Sequence, residues 1–415
     1  MQNKNRLINS NVRFYFLLIA ILLFGFFIRI IDIEINPPGL FSDEASIGYN
    51  AYSILKKGID EHGRSFPIFF EAFGDYRTPI PIYSQIPAIG LFGLNIFSIR
   101  LTSVIFSLIN IILITLIAKN LTNSNNAGII AGLFMAIIPW SVHMSRWGME
   151  QIYLPTVLSA AIYVFLLGLK KPILFIPAFI LLGLTTYTYL PSLLLIPFLL
   201  IFITLYLLIN KSFLGKRKYV IFGLFFFIAI CLPIIGAYRN NTLLTRWQSV
   251  QEPNLTYSEK VKKMAFTYAS HFMPDFLFLK GDSFMPGHFI TRHSVKGYGE
   301  LYLFQAPLIV IGLIYIFLRR RNFGNIIMLL LFFLYPLGSV FAHEGAVATR
   351  SIAGIVPLVY FSSLGGYILM NKIGRLFGLP AKKIILLLIV SVSFIFTFNY
   401  LNDFYRQYPM YSADF

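Results

Sequence analysis

A polytopic all-α membrane bundle is the fold class this sequence predicts, and three observations predict it. Only 12% of its 415 residues are charged while 57% are hydrophobic, with a mean hydropathy of +0.73; soluble domains carry about 25% charged residues. The apolar residues gather into stretches close to the roughly 17–25 residues that cross a bilayer. Finally, Lys and Arg cluster between alternate stretches whereas Asp and Glu do not. The composition excludes a disordered chain, which requires low hydrophobicity. A nucleic-acid binder would account for 34 Lys+Arg against 17 Asp+Glu, but not for 43 Phe in long apolar runs, so nucleic acid is not an expected partner. The one cysteine, Cys231, lies in an apolar run as a buried thiol and excludes a disulfide framework or a Cys-ligated cluster.

Eleven spans are expected, at 14–31, 101–118, 127–142, 152–169, 173–189, 192–209, 219–237, 302–318, 326–341, 352–370 and 384–400. The first follows a basic stretch (Lys4, Arg6, Arg13) but is followed by Asp32, Glu34 and two prolines rather than a small-residue cleavage site, so it reads as a retained anchor. A twelfth apolar stretch, 80–97, carries Pro81, Pro87, Gly90 and Gly93. Proline inside a helix removes a hydrogen bond and kinks it, and this stretch reads as interfacial or re-entrant. With the N-terminus in the cytoplasm, the cytoplasmic segments hold 17 basic residues and no acid, and every acid falls on the other side or at its edge. Counting 80–97 as a span would reverse every later loop and crowd the acids into the cytoplasm, against the positive-inside rule. The chain is therefore N-in and C-out, a single membrane domain over 1–415. It has a cytoplasmic tail at 1–13, large extracytoplasmic loops at 32–100 and 238–301, and an extracytoplasmic tail at 402–415. No internal repeat argues for a transporter.

Chemistry is then expected outside. The acidic pair Asp43-Glu44 follows the first span closely. A carboxylate there can take a proton from an incoming hydroxyl or hold a cation; equally, Ser42 or Asp43 can cap a helix over 44–57. Arg77 offers a planar fork suited to phosphate, with a snorkelling arginine as the plain alternative, and Arg100 invites the same two readings. Glu150 stands immediately before a span, with Arg146 as a partner within reach. Tyr187 and Tyr189 fit an interfacial tyrosine belt. His343-Glu344 lacks the second histidine of a zincin motif, since position 347 is Val, and Arg350 at the outer start of the tenth span is a further phosphate contact.

These residues come in an order that resembles the GT-C membrane glycosyltransferases, specifically the glycosyltransferase family 39-like group of protein O-mannosyltransferases and lipid A aminoarabinose transferases. Asp43-Glu44-Ala45 is followed by Gly48-Tyr-Asn-Ala-Tyr-Ser-Ile-Leu55, Gly58-Ile-Asp-Glu-His-Gly63, Tyr76-Arg-Thr-Pro79 and Phe92-Gly…Ile99-Arg-Leu; Ser145-Arg-Trp-Gly and Tyr187-Thr-Tyr-Leu-Pro191 follow. The likeness is dense over 36–200. It departs from the group at Arg77-Thr78, where Lys-Pro is commoner, and it lacks a large C-terminal periplasmic domain. The resemblance implies a bacterial plasma-membrane enzyme working on the extracytoplasmic face. The implied reaction is inverting transfer of a monosaccharide from a polyprenyl-phosphate donor to a glycan, lipid or protein. Asp43 is then the base, with Glu44 or Glu150 as second carboxylate; Arg77, Arg350 and Arg146 hold the leaving phosphate; Tyr76, Tyr187, Tyr189 and His343 line the donor or acceptor groove. No cofactor is demanded; a divalent metal ion on Asp43, Glu44 and Glu150 is the one candidate. The competing readings are a GT-C polymerase or ligase using an undecaprenyl-pyrophosphate oligosaccharide, a secondary transporter or lipid flippase, and a purely structural subunit.

Overall fold

The computed structural model describes residues 2–239, 256–284, 292–319, 322–341 and 345–413. Helix α1 (Gln2–Ile30) leads into α2 (Ser42–Lys57), a short hairpin of β1 (Phe70–Ala72) and β2 (Asp75–Arg77), and α3 (Pro79–Phe92). Then come α4 (Ile96–Thr122), α5 (Asn125–Ile137), α6 (Pro139–Met144), α7 (Tyr153–Gly168), α8 (Phe175–Thr185), α9 (Ser192–Ile209) and α10 (Arg217–Arg239). The remainder holds α11 (Tyr257–Ser270), α12 (Gln305–Arg319), α13 (Phe323–Leu334), α14 (Leu337–Val340), α15 (Ile355–Arg406) and α16 (Tyr408–Ser412).

The all-α expectation holds apart from that hairpin. Among the described residues, six stretches are long and apolar enough to cross a membrane: Ser10–Ile30, Ile96–Thr122, Ser192–Ile209, Phe213–Arg239, Phe323–Val340 and Ile352–Arg406. Four shorter apolar helices, Asn125–Ile137, Tyr153–Gly168, Pro172–Thr185 and Gln305–Leu318, fall where the other expected spans lie. The last two expected spans share α15, broken at Gly378, whose φ of 85° is left-handed and interrupts the helix just before Pro380. The 80–97 stretch contains α3, whose 14 residues are too few to cross a bilayer; it packs on α2 and α4.

Helices in lipid gain little from hydrophobicity and associate through close packing of small residues. The α12–α15 contact illustrates this: a Cβ on Gly365 would lie 1.8 Å from the Leu308 carbonyl oxygen, and one on Gly312 would lie 2.2 Å from that of Phe361. Both positions admit only glycine at this separation. Further packing of α4 on α5 and α7, of α7 on α8, and of α8 on α10 builds the bundle. Its end carrying α2, α3 and the hairpin is the end where the carboxylates meet.

Candidate active site

Arg77 is the centre of that end. The hairpin turns at Phe73-Gly74, both with positive φ, and pairs Phe70 with Arg77. Beyond β2, Thr78 Oγ1 donates to the Thr188 carbonyl at 3.0 Å and the Ile80 N–H to that of Tyr187 at 3.3 Å. The strand is thus pinned to the turn after α8. From there the buried Arg77 guanidinium reaches Asp43 through Nη2, and Glu150 Oε2 at 3.3 Å through Nη1. One arginine therefore joins two carboxylates from elements far apart in sequence.

Adjacent on α2, Asp43 and Glu44 have opposite environments. Successive helical residues point about 100° apart, so one faces the cleft and the other the packed side. Glu44 is fully buried against fully buried Arg100. Arg100 Nε donates to its Oε1 at 2.9 Å and Nη2 to its Oε2 at 3.0 Å, and the backbone N–H groups of Gly148 (2.6 Å) and Phe41 (3.2 Å) complete its acceptors. The remaining Arg100 donors take the carbonyls of Ile33, Pro37 and Gly39. Glu44 is saturated as a structural tie. The helix entry is also its work: neither Ser42 nor Asp43 caps α2, and the Glu44 side chain reaches back to the Phe41 N–H.

The same tie aims Glu150. Gly148 is held by Glu44 on one side and by Gln85 Nε2, 3.0 Å from its carbonyl, on the other. A Cβ there would lie 2.3 Å from Ile99 Cγ2, so only glycine lets the loop before α7 approach α4 this closely.

Beside Arg77 and Glu150 opens a cavity of about 720 Å³. Its lining adds Arg350, Arg239 and Tyr189; the rest is mainly apolar residues of the 190–197 turn and α9 and of α10, with Cys231 among them. The thiol is thus half-buried on a cavity wall. On α10, Ile228, Leu232 and Ile235 are exposed, and Ile235 also lines the cavity.

Several expected site residues lie elsewhere. Arg146 does not pair with Glu150 or reach the cavity. It is fully buried, and its donors go to the carbonyls of Ile28, Arg29, Ile31 and Asn36 and to the Tyr405 hydroxyl, closing the C-terminal end of α1. Tyr187 donates to the Ile230 carbonyl at 2.6 Å and stacks on Phe69, bracing α10. Tyr76, next to Arg77 on β2, faces the opposite side of the strand, toward Glu71 and a smaller cavity with Arg64. His343 lies outside the described residues. The three-carboxylate metal site does not assemble: Glu44 is spent on Arg100, an arginine stands between Asp43 and Glu150, and no group of three His, Cys, Asp or Glu converges among the described residues.

Two arginines were missed. Arg239 ends α10 and lines the cavity; a basic residue ending an apolar span beside Tyr238 was its only signal. Arg292 stacks 3.9 Å over the Phe41 ring, two residues from Asp43. Its carbonyl accepts from His143 Nε2 at 2.7 Å and from the Tyr408 hydroxyl at 2.6 Å. Burial pushes His143 down to about 3, leaving a neutral ring.

Behind Arg292, Ser294 Oγ donates to buried Glu300 at 2.8 Å. Burial first, and then the charge of Asp282, raises the Glu300 carboxyl well above the usual carboxylate range. The folded state thus keeps a proton that the unfolded state releases near pH 4.3, so stability falls as pH rises from about that value to the raised one. Glu300→Gln should flatten this fall in thermal unfolding measured across pH 4 to 8; an unchanged slope contradicts the assignment.

Residues 77–236 match the family model of dolichyl-phosphate-mannose-protein mannosyltransferases. A search of curated protein sequences finds no match. Among solved structures, the chain is similar to oligosaccharyltransferase AglB from Archaeoglobus fulgidus in complex with an inhibitory peptide and a dolichol-phosphate, at 15% identity and a TM-score of 0.57, covering 95% of this chain and 56% of that one. The apo Archaeoglobus fulgidus oligosaccharyltransferase gives 15%, 0.56, 95% and 56%. ArnT from Cupriavidus metallidurans bound to undecaprenyl phosphate gives 13% and 0.55, covering 96% of this chain and 75% of that one. The chain spans little more than half the length of the archaeal proteins.

Proposed function

We infer that this chain, which shares the GT-C fold of these solved structures, is a multi-pass membrane glycosyltransferase. From this premise we propose that it transfers a monosaccharide from a polyprenyl-phosphate donor to an extracytoplasmic acceptor, with inversion, on the outer face of a bacterial plasma membrane. One observation carries the reading: a single cavity is lined by apolar residues of α9 and α10 together with three guanidiniums, those of Arg77, Arg239 and Arg350, and the carboxylate of Glu150. An isoprenoid chain suits such apolar residues, and the excess of guanidinium suits a phosphate. The solved relatives that bind dolichol-phosphate or undecaprenyl phosphate support this class of donor.

In this mechanism the donor enters sideways, its tail between α9 and α10 and its phosphate toward Arg350, Arg239 and Arg77. Asp43 takes the proton from the acceptor hydroxyl as that oxygen attacks the anomeric carbon. The carbon–oxygen bond to phosphate breaks, and the arginines stabilise the charge gathering on the leaving group. Glu150 orients Arg77. The residues accord better with this reading than with transport, because the carboxylates converge at one end of the bundle.

The test is donor-dependent transfer by purified protein in liposomes, with mass analysis of released polyprenyl phosphate. Movement of a solute with no glycosyl product refutes it. Arg350→Ala should lower kcat/KM for the donor by about 10- to 100-fold, the worth of a hydrogen bond to a charged group; unaltered donor kinetics would remove Arg350 from the phosphate site.

A further inference from the structure

We infer that Asp282 is a positioning residue for Arg350, acting through the peptide of Ala348; this rests on the reading that Arg350 binds the donor phosphate. An arginine side chain sweeps a wide volume, so its aim depends on how firmly its backbone is held. Arg350 belongs to a turn segment between α14 and α15, spanned by the Ser351 N–H donating to the Val347 carbonyl at 3.1 Å. Ala348, two residues earlier and fully buried, is gripped on both sides by side chains from distant elements. Its N–H donates to Asp282 Oδ1 at 2.5 Å, and its carbonyl accepts from Trp140 Nε1 at 3.0 Å. Beyond it, Gly338 packs so closely that a Cβ would lie 2.2 Å from the Arg350 carbonyl oxygen.

Asp282 is itself fixed. Its backbone N–H donates to Ser294 Oγ at 2.9 Å, and its second carboxylate oxygen lies 3.3 Å from His293 Nδ1. It is buried and does not line the cavity. A buried carboxylate is costly unless its bonds repay it. Here the bond is a charge-assisted grip on a peptide two residues before Arg350. Asp282 thereby shapes the donor site from outside the cavity.

The experiment is a double-mutant cycle read as donor kcat/KM. Asp282→Ala should cost about 10- to 100-fold, as a displacement of about 1 Å can, while acceptor KM stays at the wild-type value. Asp282→Ala combined with Arg350→Ala should be no worse than Arg350→Ala alone. Asp282→Asn, which keeps an oxygen for the Ala348 N–H, should recover most of the loss. Should Asp282→Ala fail to fold, Trp140→Phe, which deletes the bond to the Ala348 carbonyl and trims the ring packed on Phe276 and Tyr335, should show the same lack of additivity. Additive losses, or wild-type donor kinetics in Asp282→Ala, overturn the inference. Hydrogen exchange across 345–351 separates the two claims: exchange should rise in Asp282→Ala whether or not the protein is a transferase. Unchanged exchange refutes the positioning role, whereas absence of transfer by wild type refutes the functional reading.

Discussion

Asp43→Asn should lower glycosyl transfer by about 10²- to 10⁴-fold, the range supplied by a positioned general base, while leaving the protein folded. The contrast with its neighbour is the reason. Glu44 accepts four hydrogen bonds and is sealed from solvent. Among the described residues Asp43 is bonded by Arg77 on Oδ1, and its side chain keeps 17% of its exposure. Of this adjacent pair, Asp43 is the one whose carboxylate is not sealed from solvent. Asparagine keeps the shape and an acceptor for Arg77 but cannot take a proton. The check is initial rate at saturating donor and acceptor, with thermal unfolding alongside; wild-type transfer by the variant removes Asp43 from the chemistry.

Glu44→Ala should instead destabilise the protein by about 3–5 kcal/mol, the cost of leaving one member of a buried ion pair alone. Arg100 would remain fully buried facing an empty site, the Gly148 N–H would lose its acceptor, and the loop aiming Glu150 would loosen. The change should appear as a lost or sharply lowered unfolding transition and a reduced monodisperse yield in detergent. A well-folded Glu44→Ala protein with an isolated drop in kcat would return Glu44 to the reaction.

The bundle was legible because crossing a bilayer demands long apolar helices, and hydropathy alone marks them. The break in α15 was legible for a related reason: Lys372, Arg375, Lys382 and Lys383 interrupt the apolar run on either side of Gly378. The hairpin at Phe70–Arg77 escaped notice because two three-residue strands leave no periodicity to detect. At the site, sequence order named Asp43, Arg77, Glu150, Tyr189 and Arg350, but could not divide the work between Asp43 and Glu44. That division depends on Arg100, 56 positions later, filling one side of α2. Arg146 looked like a phosphate contact for the same reason, since nothing local reveals that the end of α1 consumes its donors. Arg239 was hidden because the cavity forms only when α10 packs beside α9.

The central claim is that a lipid phosphate occupies this cavity, and the chain carries its own reporter. Cys231 is the single cysteine and lines the cavity wall. Its modification by N-ethylmaleimide, followed by intact-mass analysis in detergent, can be timed with and without polyprenyl phosphate. Saturating polyprenyl phosphate should slow modification at least about tenfold, while inorganic phosphate alone should not, and Arg350→Ala should raise the lipid concentration needed. Equal rates with and without the lipid would contradict the account.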